Sequence, residues 1–292
     1  MPVLRLFLFF LSAGLAVAQP LVLTTNTILD DLVRRVGDSD VRVLCLIEPG
    51  VDPHAYEPKP ADIRLMAKAD IVVVNGLGLE TWLGKLIANS GFHGVLVTAS
   101  EGLSPLPAAT DEATSANRRP DPHAWQDVRN VIRYVDNIRA ALVKQSPEHA
   151  ADFNARAAAF TRELEALQAY AVAQFATLPE AHRKLVTSHD ALGYLARGYG
   201  LTIVPISGLS PDQEPDARQL ARIITFIRRQ HVPAVFIEST SNPKIPELIA
   251  REAGVAVAPS LYTDSLAAPG SPEASYPGMF RHNVDTIVRA LR

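Results

Sequence analysis

"SPEHAADFNARAAAFTRELEALQAYAVAQFATLP", residues 146–179, repeats an apolar residue at every third or fourth position. Phe153, Ala157, Phe160, Leu164, Leu167, Ala171, Phe175 and Leu178 form one stripe over about seven turns of a 3.6-residue helix. Ser146 and Pro147 supply an N-cap and a first-turn proline, and Pro179 lies just beyond the stripe. A 292-residue chain is too long for one small core. A helix this long at its centre predicts a spine between two lobes.

On both sides of the spine, short apolar runs alternate with helical patterns. Before it come strand-like runs at 20–26, 41–49, 70–76 and 95–99, with helices after the first and second and another over 125–145. After it come strands at 184–190, 201–207, 233–240 and 255–262, separated by helical stretches, and a closing helix. This alternation predicts an α/β fold of two lobes, each a parallel sheet flanked by helices, joined by the long helix. The expected division is 19–145, 146–179 and 180–292. Residues 101–120 are rich in Pro, Ser, Thr and Ala without periodicity and read as a loop.

The first residues differ from the rest. Arg5, an apolar run from Leu6 to Leu11 and Ala16-Val17-Ala18 fit a secretory signal over 1–18. The run is too short for an anchoring helix. The single cysteine, Cys45, cannot form an internal disulfide. It lies far from the cleavage pattern, and its β-branched and leucine neighbours predict a buried strand position. Charge runs 28 basic against 31 acidic, a net −3. Nothing in that balance points to nucleic acid.

Two segments share a pattern: "DPHAY" at 52–56 and "DPHAW" at 121–125. Proline fixes its own φ and holds the preceding Asp extended. Asp52 and Asp121 can bond the local backbone and stiffen each turn. His54 and His123 are thereby held before any ligand arrives, which reduces the ordering cost of binding. His189 follows the strand that begins at 184, and Asp264 follows the strand 255–262. Ligands of parallel sheets gather outside the carboxyl ends of strands. Three imidazoles and a carboxylate suit zinc and also manganese. The four are scattered, so spacing alone is weak evidence, and singly each histidine reads more readily as a core or surface residue than as a ligand. Glu238 and Asp190 end second-lobe strands and are candidates to orient a ligand histidine rather than to be ligands. His93, His149, His182, His231 and His282 have no evident partner in the sequence.

"GVDPHAYEPKPADIRLMAKADIVVVNGLGLETWL" (50–83), "DPHAWQDVRNV", "TSHDALGYLARGYGL", "SPDQEPDARQL", "LYTDSL" and "MFRHNVDTIVRAL" together resemble the solute-binding proteins of zinc and manganese ABC transporters, the adhesin-type family. The resemblance covers essentially the whole chain after the signal. It implies two α/β lobes on one long helix, and metal between them on His54, His123, His189 and Asp264. It further implies a periplasmic monomer, no catalysis, and delivery of a divalent ion to a membrane permease. Many zinc members carry a long loop rich in histidine and acidic residues before the second histidine, whereas 101–120 has Asp111 and Glu112 but no histidine. Against that, three nitrogens and one oxygen favour Zn2+ over Mn2+. The alternatives are a manganese-specific binder, a secreted zinc hydrolase using Glu238 as base, or a binder of a larger ligand. No H-E-x-x-H motif supports the hydrolase.

Overall fold

The computed structural model describes residues 19–108, 119–211 and 215–292. The expected signal at 1–18, the centre of the 101–120 loop and part of the 210–220 segment lie outside the described residues.

The first lobe runs β1 (Leu21–Thr24), α1 (Thr27–Gly37), β2 (Arg42–Cys45), α2 (Pro60–Met66), β3 (Ile71–Val74), α3 (Leu83–Ser90), β4 (Val95–Thr98) and α4 (Val128–Gln145). The spine is α5 (Ala150–Ala176). The second lobe follows as β5 (Lys184–Thr187), α6 (Gly193–Tyr199), β6 (Thr202–Pro205), α7 (Ala217–Gln230), β7 (Ala234–Glu238), α8 (Lys244–Ala253), β8 (Ala256–Leu261) and α9 (Tyr276–Leu291). Each lobe holds a four-stranded sheet, ordered β2-β1-β3-β4 and β6-β5-β7-β8. Every pairing is parallel. The expected α/β architecture of two sheets on one long helix is what the chain adopts.

Parallel sheets covered on both faces read as continuous apolar runs, and β3 (IVVV) is buried throughout. Alternation decides which cover each residue meets. Val22, Ile71 and Val73 face a core shared with α1, α4 and α5. Leu23, Val72 and Val74 face outward onto Met66, Trp82 and Leu86 of the α2–α3 layer. In the second sheet Leu185 and Phe236 join the shared core, while Val186 and Val235 pack on Ile223, Ile227 and Ile249.

The spine stripe is buried at all seven of its positions within α5, from Phe153 to Phe175. It packs on α1 and α4 from the first lobe and on α6 and α9 from the second. One apolar cluster therefore runs through both lobes, from Leu29 and Val131 across the spine to Leu185 and Phe280. The start of the spine differs from expectation. Ser146 and Pro147 open a 3₁₀ turn, Pro147–His149, before the α-helix begins at Ala150, and the Ser146 side chain makes no capping bond. The closing bond is a three-residue one, His149 N–H to Ser146 O at 3.1 Å.

Three further points refine the sequence reading. Helix α3 had no counterpart in the expected elements. The base of the 101–120 segment is not loop alone: Pro107 and Pro120 form an antiparallel bridge, with Asp121 N–H donating to Leu106 O at 2.7 Å. Cys45 sits half-buried on an edge strand, where burial pushes its thiol up to about 11.

Candidate metal centre

The two proline turns are built as their sequences dictate. Asp52 Oδ1 accepts from His54 N–H at 2.8 Å, and Asp121 Oδ1 accepts from His123 N–H at 2.9 Å. The aromatic that follows each histidine does different work. Tyr56 donates to Asp62 at 2.7 Å, the carboxylate that also accepts from Lys59 N–H at the start of α2. Trp125 reaches across the molecule: its Nε1–H donates to Thr263 O in the second lobe at 2.7 Å. The tryptophan serving the first turn is Trp82, whose Nε1–H donates to Pro53 O at 3.1 Å.

His54, His123, His189 and Asp264 converge, with one potential ligand atom from each lying within 4.8 Å of the others. The Nε2 atoms of His54 and His123 are 3.0 Å apart. Asp264 Oδ1 lies 3.5 Å from His123 Nε2, and its Oδ2 lies 3.2 Å from His189 Nε2. His123, His189 and Asp264 are sealed from solvent, whereas His54 is half-buried. His54 opens onto a cavity of about 150 Å³ bounded by Leu77, Arg119 and Pro122 of the first lobe and Leu209 of the second.

The rings are aimed by carboxylates behind them. His123 Nδ1 lies 2.8 Å from Asp121 Oδ1. A carboxylate only accepts there, so Nδ1 carries the proton and Nε2 turns to the centre. His189 Nδ1 faces Glu238 Oε2 in the same way, and Glu238 Oε1 accepts from His189 N–H at 3.1 Å. Glu238 thus occupies the orienting position weighed for it from the sequence. Asp264 Oδ1 is buried and accepts no hydrogen bond. A buried carboxylate oxygen left so among imidazole nitrogens fits a cation partner, because an unsatisfied buried acceptor is costly. Three imidazole nitrogens and one carboxylate oxygen are donors of the number and type that a divalent transition ion takes.

Burial, with the neighbouring His123 ring, pushes His54 down to about 3 against the pull of Asp264. Burial works to raise Asp264, yet the His189 ring beside it holds the carboxyl below the usual range. Burial works to lower His189, but the carboxylates of Glu238 and Asp264 outweigh it and hold the ring well above its ordinary value. The directions of these shifts favour the proton on His189 over His54 in the absence of metal. The raised value gives the metal-free fold a stabilisation that is full below an ordinary histidine's 6.5 and lost as pH rises through the folded value. A metal needs the neutral ring, so affinity should climb with pH through that same upper window rather than level off above 6.5. Calorimetry of metal uptake in buffers of different ionisation enthalpy should show about one proton released per ion at pH 7. Uptake without proton release would contradict the protonated His189.

Two of the remaining histidines bond backbone carbonyls. His182 Nδ1 bonds Leu291 O at 2.9 Å, and His282 Nε2 bonds Ser260 O at 3.0 Å. His231 ends α7 in the left-handed region. Asp40, His149 and Asp152 also come together. Of that group only Asp152 is exposed, and Arg156 already holds Asp40 at 2.6 Å.

Residues 22–290 match the family described as zinc-uptake complex component A, periplasmic. The chain belongs to this family. Members are metal-binding substrate-binding components of ABC transporters, working with a membrane permease and an ATPase, and are not enzymes. The manganese-binding lipoprotein MntA of Halalkalibacterium halodurans is 35% identical over 270 residues, spanning 92% of this chain and 88% of its own. The iron-binding protein YfeA of Yersinia pestis is 33% identical, with 92% and 86% covered. The solved structure of the periplasmic zinc-binding protein TroA from Treponema pallidum matches with a TM-score of 0.86 at 33% identity, covering 94% of this chain and 99% of that one. The hydrolase alternative finds no support in this family. Family relatives are periplasmic proteins or extracytoplasmic lipoproteins. Among the described residues, no helix is long and apolar enough to cross a membrane.

Proposed function

We propose that this chain captures one divalent transition ion on His54, His123, His189 and Asp264, between its lobes, and surrenders it to a membrane permease. The observation that carries the reading is the convergence of these four groups within 4.8 Å, two from each lobe. Zinc is the ion we assign. A compact set of three imidazoles and one carboxylate satisfies tetrahedral zinc, whereas manganese seeks more oxygen, and the affinity order of divalent ions at a given site runs the same way. The relatives' names span manganese, iron and zinc, so the assignment rests on the donor set. The signal over 1–18, the divisions 19–145, 146–179 and 180–292, the periplasmic location and the monomeric state belong to the same proposal.

Stripped protein exposed together to equal zinc, manganese and ferrous iron should retain one equivalent of zinc by elemental analysis. Asp264→Ala should retain none. Retention of manganese would keep the site and overturn the choice of ion. Retention of no ion by the native chain would overturn the site.

A further inference from the structure

The segment 263–266, which carries Asp264, is gripped from the other lobe at three points. Trp125 Nε1–H and Gln126 Nε2–H both donate to Thr263 O, at 2.7 and 2.9 Å. Ser265 Oγ accepts from Gly50 N–H at 2.8 Å, in the loop that leads to His54. Leu266 N–H donates to Thr27 Oγ1 at 2.8 Å, at the start of α1. The grip is braced from behind by Tyr276, whose hydroxyl donates to Trp125 O at 2.8 Å. Thr263 is wholly buried. Its hydroxyl lies 3.0 Å from Glu238 Oε2 and 3.3 Å from Asp264 Oδ2, and its one hydrogen serves the nearer oxygen.

We propose that Thr263 is a positioning residue for the metal site, joining the grip between the lobes to the geometry of His189 and Asp264. The inference rests on the ligand set of the preceding subsection. A carbonyl has two lone pairs, and two donors from one rigid turn saturate them. The plane of the peptide between Thr263 and Asp264 is thereby fixed, and with it the direction in which Asp264 leaves the backbone. On its other side the Thr263 hydroxyl holds Glu238, which aims the His189 ring. The turn that supplies the two donors, Ala124–Gln126, directly follows His123, and the Trp125 ring packs edge-on to that imidazole at 5.3 Å. Three of the four groups are therefore set through one threonine and the turn that holds it. Loosening the lobes loosens the ligands together.

The test compares Thr263→Val, which keeps shape but removes the hydroxyl, with Thr263→Ser, which restores it, using zinc alone as the probe. Thr263→Val should bind zinc about 10–100-fold more weakly and lose it faster to a chelator, and Thr263→Ser should recover most of the loss. The gap between zinc-loaded and metal-free melting temperatures should shrink in Thr263→Val. A merely weakened fold would lower both temperatures and leave the gap intact. Trp125→Phe removes one cross-lobe donor and keeps an aromatic ring; it should also release zinc faster, and it decides the question if Thr263→Val does not fold. Equal affinity and release in Thr263→Val and the native chain, failure of serine to rescue, or native release from Trp125→Phe would each overturn the inference. Absence of zinc binding by the native chain would instead overturn the ligand set on which it rests.

Discussion

Replacing His189 with alanine is expected to abolish metal retention and to destabilise the metal-free protein by about 3–5 kcal/mol. Replacing His54 with alanine should abolish retention at a smaller stability cost of about 1 kcal/mol. The two residues stand in the same proposed ligand set, and their surroundings separate them. His189 is sealed from solvent between Glu238 and Asp264. Removing its ring strands two buried carboxylates at once, which is the costly way to break a buried pair. His54 is half-buried and is neutral at working pH. It leaves no charge behind and borders an existing cavity. Urea denaturation of chelator-treated variants, paired with elemental analysis, reads both effects. Unchanged metal-free stability in His189→Ala would contradict the charge arrangement. A large stability loss in His54→Ala would show that its turn is structural.

Phe175→Ala is expected to cost about 3–5 kcal/mol, and to lower the stability of both lobes together. Phe175 is buried on the spine and packs on Tyr199 of the second lobe at 5.0 Å between ring centroids. Its cluster continues without a break into the inner face of the first sheet. A cavity opened there removes contacts from a core that neither lobe owns alone. Native-state amide exchange should lose protection in β3 and β7 by the same increment. Loss confined to β7 would mean that the lobes are independent units despite their shared interior.

The spine was legible because its signal is long. Eight apolar residues in one stripe outweigh the weak capping signal at Ser146, which forms a 3₁₀ turn instead. Helix α3 escaped notice because "LGKLIANS" is short, with a glycine early and polar residues late. The strands at 70–76 and 233–240 were plain because burial on both faces demands an unbroken apolar run. The convergent groups were legible in part: the repeated Asp-Pro-His turn marks His54 and His123, and strand ends mark His189 and Asp264. What joins them was not. The acceptor for Trp125 and Gln126 is a backbone carbonyl, which leaves no trace in residue identity. Tyr194, whose hydroxyl donates to Asp121 O at 2.9 Å, is equally mute in sequence, because a tyrosine on a short helix reads as ordinary packing.

The chain has two tryptophans, and both abut the turns that present histidines. Trp82 is tied to the carbonyl of Pro53, one residue before His54, and Trp125 leans on His123 and is tied to Thr263. Indole emission responds to nearby charge and to the polarity around the ring. On the proposed ligand set, the His189 proton would give way to a doubly charged ion within this neighbourhood. The proposed centre would consequently carry its own optical gauge of occupancy, with no other tryptophan in the chain to dilute the signal.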